Sequence, residues 1–573
     1  MKLTDTRRLT GPSLLLDGPG AILDAEVDGA LAGPLTQAWH NRLADALREI
    51  GWGEPVTASR PYPGGLTLAF RAPTDALYAA TEINEWAFAR AAEDLGGLAD
   101  DVLAGVGEDH TLAELEASAE DERNPALLAL ERAADQHGVT FLWDDDEASV
   151  GMGAGGQTWP VGEIPERVDW SSIHDIPAAI ITGTNGKSTT ARMLGAIVRA
   201  ASRTPGLTST DGIVIGTETV ERGDYSGPGG ARTALRDSRV EIGVLEVARG
   251  GILRRGLGLP RAQAAAVTNV DEDHLGDYGI TTVEQLAQVK FVVAKSLGAG
   301  GTLVTNHDDP HCQREGLALQ EGLRQRGARI CWTGLDPASL PPGLAVSVED
   351  GYIARRDEAG EWTRIVSVER IPAAMGGAAR YNVRNALTAA GLGVALGLAD
   401  RAIAGGLAAF TSDEVTNPGR GNVFDVRGAT AWVDFAHNAH GLAALTETVA
   451  ALPASRRLVL LSHAGDRTER EIRAVAEAVA GLDAERYIVA DMPDYLRGRQ
   501  PGEVPALLRE TLIAKGISAR RITEAEHPEA GTREALDWAE DGDFLLLLVL
   551  SRREAALEAI REAGGVPQEA RET

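Results

Sequence analysis

Residues Ile180-Ile181-Thr182-Gly183-Thr184-Asn185-Gly186-Lys187-Ser188-Thr189-Thr190 read as a buried strand that runs into a glycine-rich turn and then a helix. Beyond the turn, Met193, Leu194, Ile197, Val198 and Ala201 recur at helical spacing. A turn of this kind aims backbone N–H groups and the positive end of a helix at an anion, and its lysine adds a point charge for terminal phosphates. Gly183, Thr184, Asn185, Gly186, Lys187, Ser188 and Thr189 are therefore candidate nucleotide contacts. The spacing differs from the general phosphate loop, which has a glycine five residues before the glycine of Gly-Lys; here Ile181 stands there. A bare match of this length also occurs in ordinary turns. The strand before it and the helix after it favour the nucleotide site.

The rest of the composition narrows the function classes. A chain of 573 residues implies about three or four domains. Apolar residues make up 44% and charged residues 24%, a globular balance. A net charge of −29, from 84 acidic and 55 basic residues, argues against nucleic acid as a partner. No basic start followed by an apolar stretch reads as a signal peptide. The longest strongly apolar run, Phe544 to Leu550, is too short to cross a bilayer and reads as a buried strand. No membrane partner and a cytoplasmic location are expected. Cys312 and Cys331 lack the spacing of a metal site or disulfide framework. Lysine is scarce: only Lys2, Lys187, Lys290, Lys295 and Lys515 occur, and arginine carries the remaining positive charge. Lysine therefore marks places where a compact ammonium, or an amine able to lose its proton, is needed.

Residues 1–165 mix short strand-like runs, Ala21 to Val27 and Leu66 to Phe70, with helices at Leu35 to Ile50, Ala76 to Leu95 and Pro125 to His137. A strand, Val139 to Trp143, follows, and Gly151 to Gln157 reads as a flexible loop. From Ala178 strands and helices alternate, which predicts a parallel sheet covered on both faces. A turn-rich linker near Thr416-Asn-Pro-Gly-Arg420 closes a central domain of residues 166–416. Residues 417–573 then offer five strands alternating with helices: Thr430–Ala436, Arg457–Ser462, Arg486–Ala490, Ser518–Thr523 and Phe544–Leu550. The fold class is α/β, with a central phosphate-loop domain, a C-terminal Rossmann-like domain and a smaller α+β N-terminal domain.

In open α/β sheets ligands bind beyond the carboxyl ends of the strands. Val240 to Leu245 is followed by Glu246, Ala264 to Val270 by Asp271-Glu272-Asp273-His274, and Thr302 to Thr305 by Asn306-His307-Asp308-Asp309. Glu246 and His274, with the hydroxyl of Ser188, are candidate Mg²⁺ ligands beside ATP phosphates; taken singly, a strand-end Glu also caps helices and a loop His also sits on the surface. Lys290 lies on a helix, Val283 to Ala294, whose Leu286, Ala287, Val293 and Ala294 share its face. Such a lysine either snorkels or is buried, and burial lowers its pKa. If it is buried, its neutral amine can react with CO₂ to give a carbamate that binds metal.

The motifs occur in a characteristic order. Gly183 to Thr189, Thr208 to Gly212, Gly227-Pro228 with Ala231-Arg232, Leu245 to Arg254, and Asn269 through Gly276 are followed by Asn417 to Phe424, Val433 to Asn438, Gly465-Asp-Arg467 and Leu496 to Glu503. In this order they resemble the Mur ligase superfamily, and within it the Mur-ligase half of the cyanophycin synthetases, from about residue 178 onward. The resemblance implies an ATP- and Mg²⁺-dependent enzyme that joins an amine to a carboxylate through an acyl phosphate. In that family this half adds arginine to the side-chain carboxylate of a poly-aspartate backbone. Carried over, Lys187 holds ATP phosphates; Ser188, Glu246 and His274 surround Mg²⁺; Lys290 takes the place of the often carbamylated lysine. Asn382 and Asn385 resemble residues that read adenine, Arg420 belongs to the matching linker motif, and Asp434, His437 and Asn438 resemble nucleotide contacts of the C-terminal domain. Partners would be a carboxylate acceptor and an amino acid, and a homo-oligomer is expected from the family.

The N-terminal part resembles the same family: Arg7 through Leu9-Thr-Gly-Pro12 resembles the start of its first domain, and Val139 through Gly153 its entry into an ATP-grasp domain. Too few residues separate Gly153 from Ala178 for an ATP-grasp body, so a single amide-forming site is expected. Three readings stay open: this ligase, a Mur-type ligase for another acid and amine, and a nucleotide-binding partner whose catalysis has lapsed.

Overall fold

The computed structural model describes residues 1–96 and 111–568. It opens with an antiparallel sheet, in the spatial order Lys2–Leu9, Gly20–Glu26, Gly65–Arg71, Thr57–Tyr62. Helices Gly29–Ile50 and Leu77–Asp94 cover it, burying Trp39, Leu43 and Phe88 against Leu23 and Phe70. The first helix begins earlier than its apolar periodicity predicts. Gly33-Pro34 interrupts the pattern, but the Asp28 side chain accepts the Ala30 N–H and caps the extra turn. The strands Lys2–Leu9 and Thr57–Tyr62 escape sequence reading because their outer faces are polar and only half-buried.

Helices Leu112–Asp121 and Pro125–His137 lead to a small sheet of Phe141–Trp143, Glu147–Val150 and Gln157–Pro160. The stretch Gly151–Gln157, expected as a flexible loop, is instead a packed joint. Ala154 N–H bonds the carbonyl of Val240 at 2.9 Å, and a Cβ at Gly153 would lie 2.3 Å from that same oxygen. The glycines serve close backbone approach.

The central sheet runs Glu218–Arg222, Gly212–Ile215, Pro205–Ser209, Ile242–Glu246, Ala178–Thr182, Ala262–Val267, Leu297–Asn306, Arg329–Gly334, Ala345–Glu349, Tyr352–Arg356, Trp362–Ser367. From Pro205–Ser209 to Ala345–Glu349 all neighbours are parallel; antiparallel hairpins extend both edges. Two apolar cores, one per face, enclose it. Because Ile242–Glu246, Ala178–Thr182 and Ala262–Val267 are adjacent and parallel, Glu246, the turn at Gly183 and Thr268-Asn269 emerge side by side. The expected helix Val283 to Ala294 is α-helical to Phe291 and then tightens into a 3₁₀ turn, Val292–Ser296.

The C-terminal sheet has the order Ile522–Ala525, Arg486–Ala490, Arg457–Ser462, Phe544–Leu548, Ala429–Asp434, Asn422–Val426, Val566–Pro567. Its first five strands are parallel, and Asn422–Val426 joins antiparallel. The strand expected at Ser518–Thr523 lies later: the Ser518 hydroxyl caps a 3₁₀ turn at Ala519–Arg521, and pairing starts at Ile522. No described helix is long and apolar enough to cross a membrane.

Candidate active site

The glycine-rich turn is fixed from below by the neighbouring strand end. Thr184 N–H donates to the Asn269 carbonyl (2.9 Å), Asn185 N–H to the Asn269 side chain (2.9 Å), and the Thr268 hydroxyl to the Asn185 carbonyl (2.6 Å). Gly183 and Gly186 have φ of 151° and 83°. A Cβ at Gly183 would fall 1.9 Å from Thr268 Oγ1, and one at Gly186 2.2 Å from Asn385 Oδ1. Both positions admit only glycine. Helix Lys187–Ala200 starts here, so its first-turn N–H groups point out of the turn without intrahelical partners. Lys187 Nζ rests on the carbonyls of Gly183 (3.1 Å) and Thr184 (2.9 Å), within reach of an anion on the turn.

One large cleft of roughly 1690 Å³ opens above this turn. It exceeds the roughly 300–1,000 Å³ typical of a pocket for one small ligand. Gly183, Thr184, Asn185, Gly186, Lys187, Ser188, Thr189, Glu246, His274, Lys290, Asn382, Asn385, Arg420, Asp434 and His437 all line it. Asn438 sits just behind the wall. Its side chain and that of Asn185 exchange amide hydrogen bonds of 3.1 and 3.0 Å, tying the turn to the N-terminus of helix Ala439–Ala451. Asn385 donates to Asn382 (3.1 Å), which donates to the Ala373 carbonyl (2.9 Å).

Glu246 is 1% exposed, and among the described residues neither carboxylate oxygen accepts a hydrogen bond of normal geometry. Burial raises its pKa, while the charges of Lys187 and Arg420 and the neighbouring Ser188 hydroxyl pull the other way. A buried carboxylate without donors is costly and fits a cation ligand. With the buried Ser188 hydroxyl on the same cleft wall it gives the oxygen donor set that Mg²⁺ prefers. His274 is less free. Its Nε2 accepts a hydrogen bond from Arg467 of the C-terminal domain, and its pKa falls to about 4 through burial and neighbouring guanidinium groups. Among the described residues no three His, Cys, Asp or Glu side chains converge as a self-sufficient metal cage.

Lys290 is 3% exposed among Leu286, Ala287, Val293 and Ala294, all buried, and has no hydrogen-bonded partner among the described residues. Burial and the nearby Lys187 charge lower its pKa to about 7. Asp434 is pushed up to about 6 by burial. His437 Nδ1 donates to the Phe435 carbonyl at 3.0 Å, which leaves Nε2 as the acceptor in the neutral ring.

A cluster around Asp211 was not singled out by the sequence. Its carboxylate takes Arg192 (2.8 Å), Arg420 (2.7 Å) and Arg553 (2.9 Å). Arg192 comes from the helix after the nucleotide turn, Arg420 from the linker and Arg553 from the C-terminal helix Arg553–Glu562. Asp211 lies in the quoted motif Thr208–Gly212, but nothing near Arg553 signals the contact. Asn306 and Asp309 prove structural: Asn306 donates to the Thr268 carbonyl, and Asp309 accepts from Val270 N–H and caps helix Pro310–Gln325.

The chain matches two family models, the Mur ligase middle domain over residues 181–393 and the Mur ligase glutamate ligase domain over residues 419–548. The chain belongs to the Mur ligase family. A cyanophycin synthetase of Geminocystis herdmanii is 36% identical over 370 residues, which is 64% of this chain and 40% of that protein. Another from a Synechocystis species is 37% identical over 350 residues, 60% of this chain and 38% of that one. The UDP-N-acetylmuramoylalanine–D-glutamate ligase of Chlorobaculum tepidum is 31% identical over 354 residues, 60% of this chain and 70% of that enzyme. The chain thus spans about 40% of the length of the cyanophycin synthetases it matches. Among solved structures, E. coli FolC with DHPP and ADP aligns over 67% of this chain and 89% of its own, at 19% identity and TM-score 0.49.

Proposed function

We propose that the protein is an ATP-dependent ligase that forms one amide bond per cycle between a carboxylate acceptor and an amino acid. The observation that carries this is the meeting of a phosphate-binding turn, an unpartnered buried carboxylate and a buried lysine in one cleft large enough for nucleotide and two substrates. The acceptor carboxylate oxygen attacks the γ-phosphorus of ATP, and ADP leaves. The amine nitrogen then attacks the acyl carbon, phosphate leaves, and the amine gives up a proton. Lys187 and the first-turn N–H groups hold the transferring phosphoryl group, so charge neutralisation and positioning supply most of the catalysis.

Ser188 and Glu246 would hold Mg²⁺, with His274 beside them once Arg467 releases its Nε2. The ion would neutralise phosphate charge there. Lys290 Nζ, with a pKa near 7, is set to lose a proton, add through its lone pair to the carbon of CO₂, release a second proton from nitrogen and present the resulting carbamate toward the same place. Asn382 and Asn385 are assigned to the adenine side, and Arg420, Asp434, His437 and Asn438 to the nucleotide face of the C-terminal domain. Arginine is the proposed amine and an aspartyl, cyanophycin-like acid the proposed acceptor, because the chain is similar to a cyanophycin synthetase over 64% of its length. The test is phosphate release from ATP across a matrix of carboxylates and amines, with product masses. Turnover that requires both an acid and an amine supports the reading; ATP hydrolysis indifferent to both rejects it.

A further inference from the structure

The N-terminal domain lines the cleft with residues of its own sheet and also grips one loop of the cleft wall, residues 271–280, through part-buried charge. Residues 271–280 follow the central strand Ala262–Val267 and carry Asp273 and His274 along the cleft wall. The backbone is left-handed at His274 (φ 53°), Gly276 (108°), Tyr278 (53°) and Gly279 (66°). Positive φ is uncommon for any residue but glycine, and a bulky tyrosine at 53° is held there by its surroundings.

Arginines from three domains grip this loop. Arg249 of the central domain donates to the His274 carbonyl and pairs with Asp277 at 2.6 Å. Arg467 and Arg470 of the C-terminal domain meet His274 and Glu272. Arg60, on the N-terminal strand Thr57–Tyr62, places its two arms on consecutive carbonyls, Tyr278 at 2.6 Å and Gly279 at 2.9 Å. No carboxylate lies within ion-pair distance of Arg60 among the described residues, and its Nε is buried without a partner. Behind it, Asp24 accepts from Arg7 (2.7 Å) and Thr67 (2.6 Å), and the Arg7 guanidinium lies 4.5 Å from the Tyr278 ring centre. The Tyr62 ring fills the space a side chain at Gly279 would need, 2.5 Å from its Cβ position.

A planar fork on two successive carbonyls fixes the orientation of the peptide between them, which a single ammonium does not. Desolvated charge is a poor adhesive compared with apolar packing. Its use here points to shape rather than affinity. We propose that the N-terminal domain is a working part of the active site: Arg60, backed by the Arg7–Asp24 pair, is a positioning residue that sets the conformation of loop 271–280 and so the placement of Asp273 and His274. The proposal takes the cleft to be the ligase site argued above.

The test uses the full chain and two variants, Arg60→Ala and Arg60→Lys, with two independent readouts. Hydrogen–deuterium exchange without any ligand reports the loop itself. In Arg60→Ala the amides of residues 271–280 are expected to exchange about tenfold faster, with the turn at 183–189 unchanged. Turnover at saturating ATP is expected to fall about tenfold with the KM for ATP within about twofold. Arg60→Lys keeps the charge and should recover part of both losses, so it carries the test if the alanine variant fails to fold. Unchanged exchange across the loop in a folded variant overturns the proposal, as does a loss of turnover that merely follows a lowered Tm. Failure of the wild-type chain to use any carboxylate rejects the ligase reading, while the exchange result still judges the brace.

Discussion

Among the described residues the Lys187 ammonium hydrogen-bonds only two carbonyls of its own turn, contacts the fold does not depend on. Lys187→Ala should therefore leave the Tm unchanged and lower ATP turnover by about 10²–10³, the usual cost of one preorganised charge partner in the transition state. Steady-state kinetics beside a thermal melt checks both halves. Lys290 is the converse case, a side chain whose burial shifts its protonation. Its folded pKa, about 7, lies below the unfolded value of 10.5. The unfolded chain therefore binds more protons between those limits, and this group's contribution to stability rises with pH across that window. Lys290→Met should flatten the slope of stability against pH from about 7 to 10. Lys290→Arg keeps the charge but cannot form a carbamate. Turnover should be nearly abolished and partly restored by acetate. An active arginine variant would remove Lys290 from the mechanism.

At the scale of elements, the separate pieces are held around the nucleotide turn by polar contacts. The Asn185–Asn438 amide pair and the Asp211 cluster join the turn, the linker and the C-terminal helix Arg553–Glu562. Burial would raise the Asp211 pKa, but three guanidinium groups hold it below its ordinary 3.8. A carboxylate depressed in this way contributes stability above its unfolded pKa and loses it as pH falls through the folded one. Asp211→Asn should lower stability by about 2–4 kcal/mol, since it leaves three arginines facing one another. It should also raise the KM for ATP through the freed Arg420. Denaturant melts at pH 7 and pH 3 should differ less for the variant than for the wild type. An unaltered KM would show that Asp211 does not position Arg420. This cluster was illegible in the sequence because its partners stand far apart along the chain, Arg420 209 positions and Arg553 342 positions after Asp211. The strand–turn–helix of the nucleotide loop was legible because its apolar period and its glycines act locally. For Lys290 the helical neighbours disclose an apolar face but do not decide between a snorkelling and a buried side chain; the fold buries it. The joint at Gly151–Gln157 was misread because glycine spacing alone does not separate freedom from close packing. The edge strand Glu218–Arg222 shows no pattern, since every residue in it is exposed.

On the scale of the whole molecule, the described domains share one cleft, and the N-terminal sheet contributes to its wall through Thr4, Asp5, Glu26 and Tyr62. The proposed reaction uses one nucleotide turn and one set of cation ligands. Given ATP, aspartate, arginine and a short aspartyl primer, the chain should add one type of residue to the primer. Successive aspartate-plus-arginine mass increments would contradict a single site. The central claim is that the acceptor carboxylate is activated by phosphorylation in this cleft, and oxygen transfer tests it most directly. With the acceptor carboxylate labelled by ¹⁸O, each amide bond formed should deliver one ¹⁸O atom to the released phosphate, read by mass spectrometry. Amide product accompanied by wholly unlabelled phosphate would contradict the account.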